Sequence, residues 1–334
     1  MPAEHTAAGG GTSLAQAERP LVIALGEVAP ALVVDVLGDH IAFEPHPGPA
    51  ELARAAGAIV RADVDVDRAL LDRMPAMKVL ARTGVGVDRV DVAAAAARDI
   101  PVVITPGSGT RAVAEGVLAH ALHLIKRLTA NTALVREGRW SERADAAVVP
   151  GDLDGATIGI VGYGRIGRRV GELAEAFGMR VLAFDPVSPP PAPLRRDDVT
   201  ELVAESDVVT LHVPLGPHTR HLADAGLISR MRPGSILINC GRGGLLDLDA
   251  GHAALRRGHL GGLGLDTFDP EPAVHHPVFD EPNVSLTPHT LGLSRRGTAL
   301  TFADAARGVI DVLAGRAPAA TATPAPEPTE EMIP

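Results

Sequence analysis

Short, continuous apolar runs recur along the chain between stretches of helical periodicity, and this alternation constrains the fold most strongly. The runs are rich in β-branched residues and do not alternate with polar ones, which is typical of parallel strands buried on both faces. Repeated strand–helix–strand units of this kind predict an α/β fold with doubly wound parallel sheets. The predicted strands are Leu21–Leu25, Ala58–Arg61, Met77–Ala81, Pro101–Ile104, Thr157–Val161, Arg180–Phe184, Val208–Val213, Ser235–Asn239, Gly262–Leu265 and Val284–Thr287.

The length of 334 residues and the grouping of the strands predict two domains. One long helix over 111–136 is expected to separate the two sets of strands, and a last helix over about 294–315 to return to the first set. We therefore predict a first domain over 20–106 plus 291–316 and a second over 107–290. Residues 1–19 and 317–334 lack periodicity and are rich in small and polar residues or proline, so we expect both tails to be disordered.

A glycine-rich loop follows the predicted strand 157–161. Its sequence, Gly162-Tyr163-Gly164-Arg165-Ile166-Gly167, opens a helical pattern that Gly178 can end. Gly162 permits a tight turn, Gly164 allows backbone to approach a pyrophosphate, and Gly167 allows close helix–strand packing. The N-terminus of the helix offers N–H groups and a partial positive charge to phosphate. The motif alone is weak, but its strand–turn–helix context predicts a dinucleotide site.

An acidic residue at the end of the next strand completes this pattern. Asp185 lies 23 residues after Gly162 and can accept hydrogen bonds from ribose hydroxyls. A carboxylate there repels a 2′-phosphate, which favours NAD over NADP. Arg195 and Arg196 lie further along and leave NADP open as the alternative.

Three later strands are followed by residues suited to acid–base chemistry on an anionic substrate. Arg242, Glu271 and His289 each follow a predicted strand, and carboxyl ends of parallel strands border the ligand crevice. A histidine can supply a proton to a carbonyl oxygen while hydride arrives at carbon. A carboxylate orients such a ring, and a guanidinium clamps a substrate carboxylate. We predict His289 as acid/base, Glu271 as its partner and Arg242 as substrate clamp.

Over roughly residues 21–315 the chain resembles the D-isomer-specific 2-hydroxyacid dehydrogenases, and most of all their D-3-phosphoglycerate dehydrogenases. The stretches that carry the resemblance are Arg82-Thr83-Gly84-Val85-Gly86-Val87-Asp88, Thr105-Pro106-Gly107, Val113-Ala114-Glu115, the glycine loop, Leu211-His212-Val213-Pro214-Leu215, Asn239-Cys240-Gly241-Arg242-Gly243, Asp266-Thr267-Phe268-Asp269-Pro270-Glu271-Pro272 and Thr287-Pro288-His289. The set occurs in the family's order. The resemblance implies an NAD-dependent oxidoreductase acting on CH–OH donors, namely small 2-hydroxy or 2-oxo acids.

The resemblance also implies how the two domains divide the work. The first is expected to be a flavodoxin-like substrate-binding (lid) domain, the second a Rossmann NAD-binding domain, and the protein a homodimer. Family members use the arginine, glutamate and histidine at these positions catalytically. The implied cofactor contacts, with the three loop glycines, are Arg165, Ile166, Asp185, His212, Val213, Pro214, Thr219, Cys240, Gly241, Asp266 and Gly292. The implied substrate contacts are Arg61, Arg82, Thr83, Gly84 and Val85.

Several departures from phosphoglycerate dehydrogenases leave the substrate open. Ala62-Asp63 follows Arg61 where serine and threonine are usual, and Gly241 stands where alanine or serine is usual. We also expect no C-terminal regulatory domain of the kind many of those enzymes carry. Alternatives are a phosphite-type oxyanion dehydrogenase and an NAD-sensing binding protein on the same fold.

Composition excludes several other classes of protein. A net charge of −10 with only 2% aromatic residues disfavours nucleic-acid binding, which needs cations and stacking side chains. The single cysteine, Cys240, cannot form an internal disulfide, which fits the cytoplasm. Neither a membrane span nor a signal peptide is predicted. We expect no metal site, because His218, His221, His275 and His276 lack accompanying ligands.

Overall fold

Residues 19–323 are described by a computed structural model, in which they form two units, each built on its own parallel sheet. Within this range the first unit ends at Thr105 and resumes at Phe302, and the second runs from Pro106 to Thr301. The strands are β1 (Leu21–Leu25), β2 (Ala42–Glu44), β3 (Gly57–Val60), β4 (Val79–Arg82), β5 (Val102–Val103), β6 (Thr157–Val161), β7 (Arg180–Phe184), β8 (Val208–Leu211), β9 (Ser235–Asn239), β10 (Leu260–Leu265) and β11 (Val284–Leu286).

Helices occupy both faces of each sheet. They are α1 (Val34–Leu37), α2 (Pro49–Arg54), α3 (Arg68–Asp72), α4 (Val92–Ala96), α5 (Thr110–Ile125), α6 (Leu128–Arg136), α7 (Arg165–Ala176), α8 (Val199–Ala204), α9 (Ala225–Arg230), α10 (Leu248–Arg256) and α11 (Arg295–Leu313). Short 3₁₀ turns cover Pro30–Leu32, Trp140–Ala144, Gly243–Leu245 and Pro277–Asp280. Among residues 19–323, no helix has both the length and the apolar character needed to cross a bilayer.

The sheet of the first unit has five parallel strands in the order β2-β1-β3-β4-β5. This is the flavodoxin-like order, in which the winding direction reverses between β1 and β3. One face packs on a core that includes Ile23 and Leu80, and the other on a core that includes Val22 and Ile59. Phe302 and Val309 of α11 belong to the second of these cores, so the last helix completes one face of this sheet.

The sheet of the second unit has six parallel strands in the order β11-β10-β9-β8-β6-β7. A parallel bridge from Ala183 to Arg195 adds one further position outside β7, as in a Rossmann sheet. Helices α5 and α7 cover one face, and α8, α9 and α10 cover the other. The winding reverses between β6 and β8, and a ligand crevice is expected outside the carboxyl ends of those strands.

The prediction of two doubly wound parallel α/β sheets is confirmed. The bounds of β1, β6, β7 and β9 agree with the predicted strands. These strands are buried at almost every position, which is why their apolar runs are unbroken. Strand β2 was not predicted, because its three residues lie at the edge of the sheet and are only half-buried.

The single helix predicted over 111–136 is wrong, because the chain forms two helices separated at Lys126 and Arg127. Arg127 has a φ of 52°, in the left-handed region. Nothing local in the sequence signals this break, since neither residue is glycine or proline. Polar contacts hold it, one of them local and two to residues further along the chain. The Asn131 amide donates to the carbonyls of Arg127 and Val148, and the Lys126 ammonium donates to the carbonyl of Gly151.

The ordered chain extends further than the sequence predicts at its C-terminal end. Residues 317–323 were assigned to a disordered tail, but Ile104 donates to the carbonyl of Ala320 and Ala322 donates to that of Val102. This segment pairs with the edge strand β5 and satisfies backbone groups that an edge leaves open. The predicted disorder of 1–18 and 324–334 lies outside the described residues.

The boundary between the units also differs from the predicted one at the C-terminal side. Residues 291–301 were assigned to the first domain but group with the second unit. The reason is local: the Leu291 N–H bonds Asp266, and the Leu291 side chain packs against Gly116 of α5.

Candidate active site

The glycine loop leaves β6 at the point where the winding of the second sheet reverses. Gly162 has a φ of 98°, and a Cβ there would lie 2.7 Å from the carbonyl carbon of His212. A Cβ on Gly167 would overlap the carbonyl oxygen of Gly162. At Gly164, by contrast, a Cβ would have no atom within 4 Å. Two glycines therefore allow close packing, and the middle one borders open space at the start of α7.

The open space lies where the first turn of α7 leaves its N–H groups. Helix α7 begins at Arg165 and extends for 12 residues, with Gly164 as its N-cap and no side chain capping it. The first N–H groups of a helix have no partner within the helix and carry a partial positive charge. The loop therefore fits a phosphate group, since an anion could approach both the Gly164 backbone and the helix terminus.

The Asp185 carboxylate ties the glycine loop to the end of β7. Its Oδ2 accepts the N–H of Tyr163 at 2.8 Å, and its Oδ1 accepts the N–H groups of Val187 and Ser188, each at 2.8 Å. An ionised carboxylate has about four acceptor positions, so capacity for one ribose hydroxyl is left. Asp185 thus fixes the loop as well as offering an acceptor.

Both arginines that left NADP open are engaged in ion pairs. The Arg196 guanidinium binds Glu205 through two hydrogen bonds of 2.7 and 2.8 Å, and Arg195 pairs with Asp197 at 2.6 Å. This pairing lowers the pKa of Glu205 to about 2. Each guanidinium therefore has a carboxylate partner that a 2′-phosphate would have to displace.

His289 and Glu271 form a hydrogen-bonded pair beyond the ends of β10 and β11. The distance from His289 Nδ1 to Glu271 Oε2 is 2.8 Å, and Glu271 Oε1 accepts the N–H of Phe268 at 3.0 Å. An ionised carboxylate only accepts, so His289 Nδ1 carries the proton and Nε2 is the nitrogen left for exchange. The His289 side chain is 47% exposed. The pair therefore combines a fixed ring with access from outside.

Arg242 lies at the end of the neighbouring strand β9. Its Nη1 donates to the carbonyl of Gly241 at 2.9 Å, and the Asn239 amide donates to the carbonyl of Arg242 at 2.9 Å. A Cβ on Gly243 would overlap the backbone of Phe268. The loop that carries Arg242 therefore packs, backbone against backbone, on the loop whose Phe268 N–H holds Glu271.

A buried carboxylate organises the turn that presents His289. Asp266 is 2% exposed, and its Oδ1 accepts the Thr287 hydroxyl at 2.6 Å and the Thr290 N–H at 3.0 Å. The Leu291 N–H lies 3.4 Å from the same oxygen. Burial raises the pKa of Asp266, and these hydrogen bonds oppose that shift. The His289 backbone, with a φ of 53°, is thus held from both sides of the turn.

The other predicted cofactor residues belong to the same unit and lie near strand ends. His212 and Val213 adjoin Gly162, and the Thr219 hydroxyl donates to the carbonyl of Pro214 at 2.7 Å. His212 Nδ1 is buried without a hydrogen-bond partner in the described chain, and burial lowers the pKa of the ring to about 4. Ile166 is half-buried against the core to which Cys240 belongs. Gly241 fits between Leu245 and the carbonyl of Leu211, and Gly292 lies against Val113.

Cys240 has no nucleophilic character in this setting. It is buried in the apolar core that underlies α5 and α7. Burial raises the pKa of its thiol, with the nearby Asp266 charge as the second cause. This agrees with a packing role next to the site.

The predicted substrate residues all belong to the first unit. The Arg61 guanidinium lies 5.6 Å from the centre of the Phe302 ring, while Arg82 is only 6% exposed. Thr83 donates from both its backbone and its hydroxyl to the carbonyl of Val60, at 2.9 and 3.2 Å. Gly84 has a φ of 139° and Val85 is 50% exposed. A short loop that borders open space at Gly84 therefore follows β4.

Sequence patterns did not assign the residues that support the acid–base pair. The role of the Thr287 hydroxyl depends on a distance between strand ends, and that of the Phe268 N–H on the turn that brings it to Glu271, although both residues lie in the quoted motifs. His120 on α5, 3.3 Å from Thr287 Oγ1, had no signal beyond a histidine on an apolar helix face. No group of three or more potential metal ligands occurs within 19–323.

Comparison with known proteins places this site in a family. Residues 118–290 match the model of the D-isomer specific 2-hydroxyacid dehydrogenase, NAD binding domain. The D-3-phosphoglycerate dehydrogenase of Mycobacterium tuberculosis is 35% identical over 89% of this chain and 57% of its own length. The (S)-sulfolactate dehydrogenase of Chromohalobacter salexigens is 39% identical over 71% of this chain and 77% of its own. The chain thus spans little more than half the length of the phosphoglycerate dehydrogenase relative.

Solved structures match over nearly the whole chain. The TT0316 protein of Thermus thermophilus has a TM-score of 0.82 at 36% identity, covering 91% of this chain and 100% of that one. The D-lactate dehydrogenase of Aquifex aeolicus, complexed with NAD and lactic acid, has a TM-score of 0.77 at 28% identity, covering 88% and 96%.

Proposed function

Because the chain belongs to the D-isomer specific 2-hydroxyacid dehydrogenase family, we propose that it transfers a hydride between NAD and C2 of a small D-2-hydroxy acid. The observation that carries this proposal is the 2.8 Å pair of His289 and Glu271 at the same sheet edge as the open glycine loop. The resemblance predicted from the motifs is confirmed by the comparisons, in which residues 118–290 match the model of the family's NAD binding domain.

A bound nicotinamide would supply a hydride to C2 of the 2-oxo acid, or accept one from C2 of the 2-hydroxy acid in the reverse direction. His289 Nε2 delivers a proton to the carbonyl oxygen as the 2-oxo acid is reduced, and removes it in the reverse direction. Glu271 keeps the proton on Nδ1 and stabilises the charge that the ring gains. Arg242 binds the substrate carboxylate through paired hydrogen bonds, which orients C2.

We propose NAD rather than NADP as the cofactor. Asp185 retains acceptor capacity for a ribose hydroxyl and would repel a 2′-phosphate, while Arg195 and Arg196 are held by carboxylates. Steady-state rates with NADH and NADPH test this choice, and we expect a higher kcat/KM with NADH. Replacing Asp185 by serine should narrow the difference, because the repulsive charge is removed.

The substrate class follows from the chemistry of Arg242, and the names of the relatives indicate several acids within that class. Curated relatives include a sulfolactate dehydrogenase, a hydroxypyruvate reductase and a glyoxylate reductase besides the phosphoglycerate dehydrogenases. All these names imply a carboxylate beside the reacting carbon, which suits Arg242. We propose that the backbone of Thr83, Gly84 and Val85 also binds substrate, and that Arg61 and Arg82 decide whether a phosphate is accepted.

NADH oxidation with a panel of acids tests the proposed reaction. The panel holds phosphohydroxypyruvate, hydroxypyruvate, glyoxylate, pyruvate and sulfopyruvate, with phosphite and NAD in the opposite direction. Turnover of one acid would support the reaction, and preference for the phosphorylated acid would assign Arg61 or Arg82 to its phosphate. Tight NADH binding without any turnover would instead favour the sensing role, and turnover of phosphite alone would favour an oxyanion substrate.

We also propose that the protein is a cytoplasmic homodimer. Four large apolar side chains on and after α6 are exposed, and an interface with a second copy would cover them: Leu128 at 48%, Val135 at 64%, Trp140 at 64% and Val149 at 48%. Light scattering should give twice the 34.5 kDa chain mass. Val135→Lys should weaken this association, whereas Val187→Lys, at an exposed site after β7, should not.

A further inference from the structure

His120 is a buried histidine on the face of α5 that packs against β10 and β11. It is 3% exposed, and its two ring nitrogens both have partners on β11 or just after it. Nδ1 lies 2.8 Å from Ser285 Oγ, and Nε2 lies 3.3 Å from Thr287 Oγ1. The lack of a side chain at Gly264 makes room for the ring, since a Cβ there would lie 2.9 Å from His120 Cβ.

These hydrogen bonds form a series that ends at Asp266, and the carboxylate at that end decides the direction of each bond. The Asp266 carboxylate can only accept, so the Thr287 hydroxyl donates its one proton to Asp266 at 2.6 Å. Thr287 Oγ1 must then accept from His120, which places a proton on Nε2. Nδ1 of the same ring is therefore bare, and it accepts the Ser285 hydroxyl.

The neutral ring is the form that this environment favours. Burial lowers the pKa of His120 to about 4, and His123 on the same helix adds to the shift. Asp266 faces the ring across one hydroxyl, and His289 and Cys240 are the titratable groups next to Asp266. One neutral tautomer with the proton on Nε2 thus fits every partner.

The chain of hydrogen bonds ends at the turn that carries His289. Asp266 Oδ1 accepts the Thr287 hydroxyl together with the N–H groups of Thr290 and Leu291. Helix α5 touches the same turn a second time, because a Cβ on Gly116 would lie 2.6 Å from Leu291 Cδ1. The position of His289 therefore depends on α5 at two points, one polar and one apolar.

We propose that His120 is a positioning residue: its Nε2–H directs the Thr287 hydroxyl onto Asp266 and thereby fixes the turn that presents His289. This inference rests on the proposed function of His289 as the acid/base. His120 itself touches neither substrate nor cofactor in this account. Its effect passes through Thr287 and Asp266.

The tautomer is tested by nitrogen NMR on the full chain labelled with ¹⁵N-histidine. We expect the His120 ring, assigned with the His120→Gln variant, to show a protonated Nε2 and a bare Nδ1 throughout the neutral range. A protonated Nδ1 with a bare Nε2 would overturn the proposal, because Thr287 could then not accept from the ring. The His289 signals are recorded in the same spectra.

Substitution separates positioning from simple packing. In His120→Leu we expect kcat to fall by about 10-fold to 100-fold, since a small displacement of a reacting group is costly. The KM for NADH should be nearly unchanged, the pH profile of kcat displaced and the His289 signals shifted. In His120→Gln the amide can donate to Thr287 and accept from Ser285, so most of the rate should return. His123→Leu makes the same change one turn along α5, where the ring bonds only Thr129, and serves as the control.

Two results would contradict the positioning role. One is a His120→Leu variant with lower thermal stability but unchanged kcat, pH profile and His289 signals, which would reduce His120 to a packing residue. The other is a glutamine variant no better than leucine. If the unaltered protein reduces no 2-oxo acid, the proposed function fails, while the tautomer and the His289 signals still decide whether His120 positions this turn.

Discussion

The two units share an architecture, but they differ in the space left after the first strand of each sheet, where the winding direction reverses. In the first unit, Gly26 follows β1 with a φ of 94°, and a Cβ there would lie 2.7 Å from Arg61 Cβ and 2.9 Å from Val64 Cγ2. In the second unit, Gly162 directly follows β6 and is packed as tightly as Gly26. The difference lies two residues further on, where Val28 of the first unit is buried, whereas a Cβ on Gly164 of the second unit would meet no atom within 4 Å. The first unit therefore fills this position with a side chain, and the second leaves it open.

The helix that follows each switch point differs in the same sense. After β1 the chain makes a 3₁₀ turn and the four-residue helix α1, but after β6 it enters the 12-residue α7 directly. A longer helix that starts at the crevice offers a stronger dipole and aligned N–H groups to an anion. The doubly wound order alone therefore does not define a dinucleotide site, which also needs open space at the start of the helix that follows the switch point.

The largest expected effect comes from removing the acid/base of the second unit. His289→Ala should lower kcat by about 10²-fold to 10⁴-fold, because general acid–base catalysis contributes that much. Affinity for NADH should be largely kept, since the glycine loop is untouched. His218→Ala, on an exposed loop of the same unit, is the control and should keep its rate. Unchanged turnover in His289→Ala would remove this residue from the mechanism.

Acid should weaken the second unit before the first. The two histidines with a pKa lowered to about 4, His120 and His212, both lie there, against an ordinary value of 6.5. The unfolded chain binds protons at these sites between pH 6.5 and about 4, and the folded chain does not. Their contribution to stability is therefore present above pH 6.5 and is lost as pH falls through this window, by up to about 3 kcal/mol for each histidine.

Amide hydrogen exchange at pH 7 and pH 4.5 measures this difference between the units. We expect protection of β6, β8 and β9 to fall more than that of β1, β3 and β4. Asp266 opposes the trend, because its raised pKa favours the folded state as acid is added. Equal loss of protection in both sheets would contradict the expectation that His120 and His212 make the second unit the more acid-sensitive one.

Adding a side chain at each switch point tests this difference between the units directly. Gly26→Ala should lower the free energy of unfolding by about 2–4 kcal/mol, since it combines a left-handed backbone with overpacking against Arg61. Affinity for NADH should stay as it is. Chemical unfolding with a probe in the first unit measures the change, and a variant as stable as the parent would show that the first crevice can open.

Gly164→Val should change stability less than Gly26→Ala does and should weaken NADH binding, which Gly26→Ala should not. Stability should change by about 1 kcal/mol at most, because the side chain enters open space, but the Kd for NADH should rise by about 10-fold, since backbone approach to the pyrophosphate is blocked. Gly178→Val, at the other end of α7, is expected to lower stability without a direct effect on NADH binding. Full NADH affinity in Gly164→Val would mean that the dinucleotide does not lie on this loop.

The sequence predicted best those features that depend on short stretches of chain. Strands β6 and β7, the glycine loop and Asp185 are local patterns, because burial on both faces demands unbroken apolar runs. The break at Arg127 and the pairing of residue 321 with β5 depend on contacts distant in sequence, and local patterns do not carry them.

The candidate site divides in the same way. That Arg242, Glu271 and His289 act together stays a prediction, made because strand ends of a parallel sheet converge, and the distance between His289 and Glu271 agrees with that expectation. The supporting contacts were not predictable. The Thr287 hydroxyl and His120 act through distances of 2.6 and 3.3 Å to residues far away in sequence. The Phe268 N–H lies only three residues from Glu271, but its contact depends on how that loop turns.

The most direct test of hydride transfer at C2 uses deuterium. The protein is incubated with hydroxypyruvate, pyruvate and phosphohydroxypyruvate in the presence of NADH in which both hydrogens at C4 are replaced by deuterium, and the products are analysed by mass and chirality. We expect a D-2-hydroxy acid with one deuterium at C2, and loss of that product in His289→Ala. An L-configured product, or a reduced acid without deuterium at C2, would contradict it.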